Sequence, residues 1–550
     1  MKVYFKDYEK FVSKGDYAIA LRKVVEDLQS MEGEKILEFE KKIYDVYKDY
    51  SNKKIIYFSN TDSTKFPEKR IGIYFEGIDN LTIEGNGALF IFHGDMTAFG
   101  IFECENIKIK NISWDYFNPT VGEMKLVDTG FNENGQFSDF EISKDFAWVI
   151  ENNKIKWMSE KSPYTNQVYW TRYNQHNSYG IIDYNPNIRY SHNTNVDLGP
   201  LHNYSGLEIV NEKLRVYYEK RPENQVVGKV FVMNSSSERK TCGAFIIESK
   251  NIEVKNCGIH FLHGFGFLLQ MSENAIFENC RFIKRENSNH YTTSYADSIH
   301  VSGHRGEIEI KDSEFESSLD DFINIHGTYL KIKSLEGKEL ILKYMHKQQS
   351  GFNQYHVGDE IAFIDKNLLE VGSRYFVEEV IGPDGMNSLD LTKIILDREV
   401  ENTIIENHGG IFVENITYSP SVKIMGNIFR NTPTRAILCT ARGNTKIENN
   451  EFYNCSMSSI YISNDAKEWY ESGKVVDFEI RNNYFFVDKS IEGIRRDFPI
   501  IWINPITHED VEEGIHEKIT IEKNIFNTGS CKIIEHKNVK ELVFRDNIAK

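Results

Sequence analysis

A short phrase recurs along this chain: alternating apolar residues, then Asn, Asp or Cys, then another apolar residue. It reads "NIEVKNCGI", "NAIFENCRF", "EIEIKDSEF", "SVKIMGNIF", "NTKIENNEF", "DFEIRNNYF", "KITIEKNIF" and "ELVFRDNI". Aligned on one inward apolar position, the copies fall at Val254, Phe277, Ile310, Ile424, Ile447, Ile480, Ile521 and Phe544. The steps between them are 23, 33, 114, 23, 33, 41 and 23 residues. Two earlier copies, "NLTIEGNG" and "NIKIKNISW", are anchored on Ile83 and Ile109. A strand–turn–strand unit at a fixed short period predicts an all-β chain folded as a parallel β-helix, because each coil buries its apolar face only by stacking on the next. The Asn, Asp and Cys positions suit turns, where such side chains bond backbone or tolerate left-handed geometry. The longer steps read as a coil carrying a loop of about 10 or 18 extra residues. A Greek-key sandwich would share the alternation but not the repeated step.

Two stretches interrupt the ladder. Residues 115–240 carry "EMKLVD", "WVIENNKIKWM", "LRVYYEK" and "GKVFVMN", and residues 329–414 carry "KELILKYM", "GDEIAFID" and "RYFVEEV". Both predict antiparallel, β-barrel-like inserted domains. They divide the chain into 1–114, with the first coils; 115–240, the first insert; 241–328, the central coils; 329–414, the second insert; and 415–550, the last coils. Near Asp16 to Leu28 a helical pattern places Leu21, Val24, Val25 and Leu28 on one face, as expected of a cap over the open first coil.

Composition narrows the function classes. The formal charge of −17 disfavours nucleic acid or an acidic lipid surface as partner. No apolar run reaches the roughly 18 residues of a membrane span. The N-terminal "MKVYFKDYEKFVSKGDY" lacks the apolar stretch of a signal peptide, so a cytoplasmic location is expected, with secretion or the periplasm open to a processed form. The seven cysteines form no C-x-x-C pair, which argues against a zinc site and for free buried thiols.

Against this apolar ladder, "SSLDDFINIHG" (317–327) sets two aspartates side by side. Asp297, in "YADSIHVSGHRG", precedes Asp320 by 23 residues, the ladder's own step, so the two are expected at equivalent places on successive coils. Asp321 and Arg435 each lie 11 residues after their anchors, Ile310 and Ile424, which stacks Arg435 on the acidic pair once the insert loops out. Like charges this close raise at least one pKa, and a raised carboxyl beside an ionised one can divide general acid and general base work on a glycosidic bond. The same spacing also fits turn aspartates bonding backbone, or a calcium site. Asn324 and His326 read equally well as ladder residues or as ligands to a substrate. Adjacent residues on a regular strand face opposite ways, so showing both Asp320 and Asp321 to one cleft requires a bend.

The block "ADSIHVSGHRGEIEIKDSEFESSLDDFINIHGTYL" resembles the core signature of glycoside hydrolase family 110. The likeness continues through "HFLHGFGFLLQMSEN", "TRAILCTARGNTKIENNEF" and "KEWYESGKVVDFEIRNNYF", covering most of the chain from about residue 16 and weakest in the inserts. The resemblance implies a right-handed β-helix with inserted β-barrels and an exo-acting α-galactosidase. Such an enzyme hydrolyses terminal α-1,3-linked galactose, on blood-group B type or linear glycans, with inversion and without metal or cofactor. Carried onto the matching positions, it assigns Asp297 as general acid and Asp320 with Asp321 as general base. Asn324, His326, Arg435, Trp469 and Glu471 are then candidate substrate-binding residues, Trp469 by stacking on the sugar. The competing readings are a polygalacturonase-like inverting glycosidase on another sugar, a non-catalytic glycan-binding β-helix, and a calcium-dependent polysaccharide lyase. Polygalacturonases share one Asp followed by an Asp pair, but their glycine-histidine and Arg-x-Lys elements are not evident here.

Overall fold

The structure is a computed structural model that describes the chain except residues 174–177, 185–186, 192–198, 224, 234–237, 408–409, 489–496 and 512–513. Every anchor of the ladder pairs with the next. Leu37 aligns with Ile83, Ile83 with Ile109, Ile109 with Val254, Val254 with Phe277 and Phe277 with Ile310, all between parallel strands. Ile310 then aligns with Ile424, and the series runs on through Ile447, Ile480 and Ile521 to Phe544. The chain is therefore a parallel β-helix, and the 114-residue step is a single coil interrupted by the second insert.

The repeated phrase works because each of its positions meets a different constraint. Two residues after the anchor the backbone is left-handed at Asn256, Asn279, Asp312, Asn449, Asn482, Lys523 and Asp546, with φ between 50 and 57°. Gly426 holds the same place at φ 68°. Asn and Asp tolerate this conformation better than most residues, which explains their frequency there. The next residue points inward. Asn427, Asn450, Asn483, Asn524 and Asn547 form a column in which each side-chain amide of the first four donates to the next Oδ1, at 3.0–3.1 Å. Each of these five amides also donates to the carbonyl of an anchor residue, from Ile310 to Ile521. Two residues further on, Phe282, Phe315, Phe429, Phe452, Phe485 and Phe526 stack with ring centroids 4.7–5.0 Å apart.

The helix Ala18–Gln29 buries Leu21, Val24, Val25 and Leu28 over the first coils. All seven cysteines are free and buried. The first insert contains a seven-stranded antiparallel sheet, from Gly122–Asn132 to Lys229–Met233, beside a three-stranded sheet. The second insert is a closed barrel of six antiparallel strands, Leu330–Glu336 to Ile411–Asn415.

Candidate active site

The acids sit where the ladder bends. Asp297 precedes the strand Ile299–Lys311, and Asp320 and Asp321 lie in a bend between the strands Glu314–Glu316 and Ile323–Thr328. Ser317 enters that bend at φ 55°. Each bend is tied by a serine: Ser294 Oγ donates to the Asp297 carbonyl and Ser318 Oγ to that of Asp320, both at 2.6 Å. The bend releases the pair from strand alternation, so both carboxylates line one cavity of about 340 Å³.

The stacking partner differs from the one the sequence step suggests. Ser294 pairs with Ser318 and Ile299 with Ile323, which sets Asp297 level with Asp321, not Asp320. The reason is a loop. Phe282 pairs with Phe315, yet the earlier coil takes residues 283–293 to reach Ser294 while the later one goes from Phe315 to Ser318 in three steps. The ladder's period does not hold across that loop.

Arg435 stacks as its spacing predicts. Its Nη2 donates to Asp321 Oδ2 at 2.7 Å, and its backbone N–H to Oδ1 at 3.2 Å. A second guanidinium comes from outside the ladder: Arg239 Nη2 donates to Asp320 Oδ2 at 3.1 Å and its guanidinium lies 4.9 Å from the Phe265 ring centroid. One oxygen from each of Asp297, Asp320 and Asp321 falls within 4.8 Å of the others. That spacing by itself would admit a cation, but the two guanidinium groups already balance charge at Asp320 and Asp321. Asp297 has no such partner.

Burial sorts the trio. Asp297 and Asp321 are 3% and 1% exposed, whereas the side chain of Asp320 is 28% exposed. Desolvation, then the Asp320 and Asp321 charges, raise the Asp297 carboxyl well above the usual range. Desolvation lifts Asp321 to about 6, against the pull of Arg435. Gly266 lets the neighbouring coil pass this close: its φ is +104°, and a Cβ there would meet the Asp297 carbonyl oxygen at 2.2 Å.

The other candidates converge unevenly. Asn324, in register with His300, Arg435, Trp469 and Glu471 line the cavity. Asn324 Oδ1 and Arg435 Nε are buried and meet no protein hydrogen-bond partner, so they are left to a ligand or water. Trp469 is 39% exposed, 4.4 Å from the His346 ring of the second insert, and Asp465 accepts its backbone N–H. Glu471 is placed by antiparallel pairing of Glu471–Ser472 with Thr328 and Gly327. His326 is not on the cavity wall but behind it. Its Nδ1 lies 2.6 Å from the Gly327 carbonyl oxygen and its Nε2 3.0 Å from His300 Nε2 and 3.3 Å from Glu471 Oε1.

Sequence reasoning missed Arg239, His300 and His346. Arg239 and His346 come from insert segments outside the repeat, and no spacing marks them. His300 was within reach, being Asn324's register neighbour and three residues from Asp297. A larger cavity of about 870 Å³ at the first insert, lined by Lys144, Lys213, Lys284 and Glu141 among others, contains none of these acids.

The α-1,3-galactosidase A of Peterkaempfera griseoplana is 32% identical to this chain, over 97% of the chain and 74% of that protein. That of Streptomyces avermitilis is 33% identical, over 92% of the chain and 81% of the protein. The chain belongs to glycoside hydrolase family 110. An α-1,3-galactosidase B of Phocaeicola vulgatus is 30% identical, over 94% of the chain and 86% of the protein. Residues 339–381, within the second insert, match the family model described as GLAA-B beta-barrel domain II. Among solved structures, an exopolygalacturonase from Thermotoga maritima is similar at TM-score 0.40 and 9% identity, covering 100% of this chain and 92% of that one. As a family 110 member the chain is a glycoside hydrolase, and the trio lies in a cavity with two arginines and an aromatic rim.

Proposed function

We propose that this family 110 enzyme removes terminal α-1,3-linked galactose from glycans, acting from the chain end with inversion. Its relatives are named α-1,3-galactosidases. The cavity, about 340 Å³, is at the small end of the roughly 300–1,000 Å³ typical of ligand pockets, a size suited to one terminal sugar. Asp297 serves as general acid. It is the one carboxylate of the trio without an arginine, so it keeps a proton for the leaving oxygen. Asp320 and Asp321, each against a guanidinium, grip one water between them. Asn324, Arg435 and Glu471 hold sugar hydroxyls, and Trp469 stacks on the galactose face.

The observation that carries this reading is the division within the trio: one buried acid set against His300 and no arginine, beside two arginine-backed carboxylates. The trio is tighter than the roughly 6.5–9.5 Å usual between inverting carboxyls, so inversion rests on the water-holding pair and not on separation. NMR of galactose released from an α-1,3-galactosyl disaccharide tests it. β-Galactose appearing first is expected; α-galactose first overturns inversion, and no galactose overturns the activity. Turnover should withstand a chelator and yield no unsaturated product absorbing in the ultraviolet. A panel of branched fucosylated, linear, α-1,4 and α-1,6 galactosides then reads substrate preference.

A further inference from the structure

Arg239 and His346, which reach the site from outside the repeat, share an anchor. It is the turn 59–65 between the antiparallel strands Asn52–Ile55 and Glu68–Glu76. The turn is fixed from within: Ser63 Oγ accepts the Phe58 N–H at 3.0 Å, and Thr61 Oγ1 donates to the Phe58 carbonyl at 2.8 Å. Gln270, on a β-helix strand, holds it from below. Its Oε1 accepts the Ser59 N–H at 2.7 Å and its Nε2 donates to the Tyr57 carbonyl at 3.1 Å. Asn60, at φ 56°, lines the cavity from this turn, and Asp62 follows two residues later.

Both inserts meet this turn at Asp62. Its backbone N–H donates to the Arg239 carbonyl at 2.8 Å, and its Oδ2 accepts the Arg239 N–H at 2.8 Å. One residue thus takes both backbone groups of Arg239, as a strand partner would, and the Arg239 guanidinium then reaches Asp320 Oδ2. Asp62 Oδ1 accepts from Gln348 Nε2 at 3.1 Å, and the neighbouring Thr61 N–H donates to the Gln348 carbonyl at 3.2 Å. The Gln348 N–H donates in turn to His346 Nδ1 at 3.3 Å, and the His346 ring lies against Trp469. A carboxylate only accepts, and each oxygen of this one meets a donor from a different insert. An amide at position 62 would offer one acceptor and turn its NH₂ toward a donor.

We infer that Asp62 is a positioning residue of the active site: it sets Arg239 on Asp320 and, through Gln348 and His346, sets the ring of Trp469 over the sugar. This rests on the cavity being the galactoside site, and not on how the three acids divide the work. Asp62 is not on the cavity wall and acts only through other residues. Its first arm ends at the acids. An arginine side chain has many rotamers, so fixing the Arg239 backbone removes freedom that would otherwise be lost on meeting Asp320. Its second arm ends at the rim. Asp465 already accepts the Trp469 backbone N–H, so the contact from His346 bears on the ring. A change at position 62 is therefore felt at the acids and at the rim together, whereas a change at Gln348 is felt at the rim alone.

Kinetics on an α-1,3-galactosyl disaccharide and calorimetry with galactose test the two arms. Asp62→Ala should lower kcat about tenfold or more and weaken galactose binding about three- to tenfold, as loss of hydrogen bonds to a charged group does. Gln348→Ala should weaken galactose about two- to fivefold and change kcat by less than about twofold. Double variants separate positioning from general loosening, because residues acting through one another do not add. With Arg239→Gln in place, Asp62→Ala should lower kcat by less than about twofold further. With Trp469→Ala in place, it should weaken galactose no further. Losses that multiply in either double variant, or an Asp62→Ala enzyme with the parent's kcat and affinity, would overturn the role. Asp62→Asn keeps the residue's size and one acceptor, so it should show the same pattern with smaller losses if the alanine variant does not fold. A parent enzyme that releases no galactose overturns the galactoside reading and this one with it; a working parent whose variants multiply overturns this one alone.

Discussion

At the scale of single residues, the site depends on three carboxyls made unequal by their neighbours. Asp297→Asn and Asp321→Asn should each lower turnover by at least about 10²-fold, and near-normal rates would reject their roles. Asp321 must be ionised to act, so kcat/KM should fall as pH drops through about 6. Arg435 pulls that value down, so Arg435→Gln should move the acid limb to higher pH in a pH–rate profile. Asp297 leaves a signature in stability as well. Its folded carboxyl keeps a proton that the unfolded chain releases near pH 4, so raising the pH above that point favours unfolding. Asp297→Asn removes this effect. Its stability, read in thermal unfolding, should gain on the parent's as pH rises above about 4, at up to about 1.4 kcal/mol per pH unit. A constant difference across that range would contradict the raised carboxyl.

At the scale of elements, the turn column and the aromatic rim make separate claims. Asn450 Nδ2 donates to the Ile424 carbonyl and to Asn483 Oδ1, while its own Oδ1 accepts from the Asn427 backbone and side chain. Asn450→Ala strands several buried groups, each worth about 1–3 kcal/mol, so urea unfolding should show a loss of about 3 kcal/mol or more. The rim joins two elements: Trp469 from a β-helix loop and His346 from the second insert. Trp469→Ala should weaken galactose binding by about five- to thirtyfold, as loss of about 1–2 kcal/mol does, with a smaller effect on kcat. Unchanged affinity in calorimetry would sink the stacking role. His346→Ala should weaken binding in the same direction, through a freer Trp469.

At the scale of the whole molecule, the stack has an apolar end that the helix Ala18–Gln29 covers with Leu21, Val24, Val25 and Leu28. Parallel coils left open are templates for another chain. Val24→Asp puts a charge at a fully buried position of this cap. Light scattering should then show self-association, and the thermal midpoint should fall. The inserts matter at this scale because they bring His346 to the rim and Arg239 to the acids without belonging to the repeat.

The sequence determined the β-helix because its period is covalent: strand pairing repeats the anchors residue for residue, and the turn conformation recurs where Asn, Asp or Gly recurs. It also determined the Asp321–Arg435 contact, since both residues lie at the same distance from paired anchors. Only the tertiary structure decided what depends on loops of unequal length or on burial. It set Asp297 against Asp321, because the loop 283–293 breaks the local period. It put His326 behind the wall and His300 on it, and brought Arg239 and His346 in from segments with no register to the ladder. Spacing predicts which residues share a coil position; desolvation and proton affinity depend on everything packed around them.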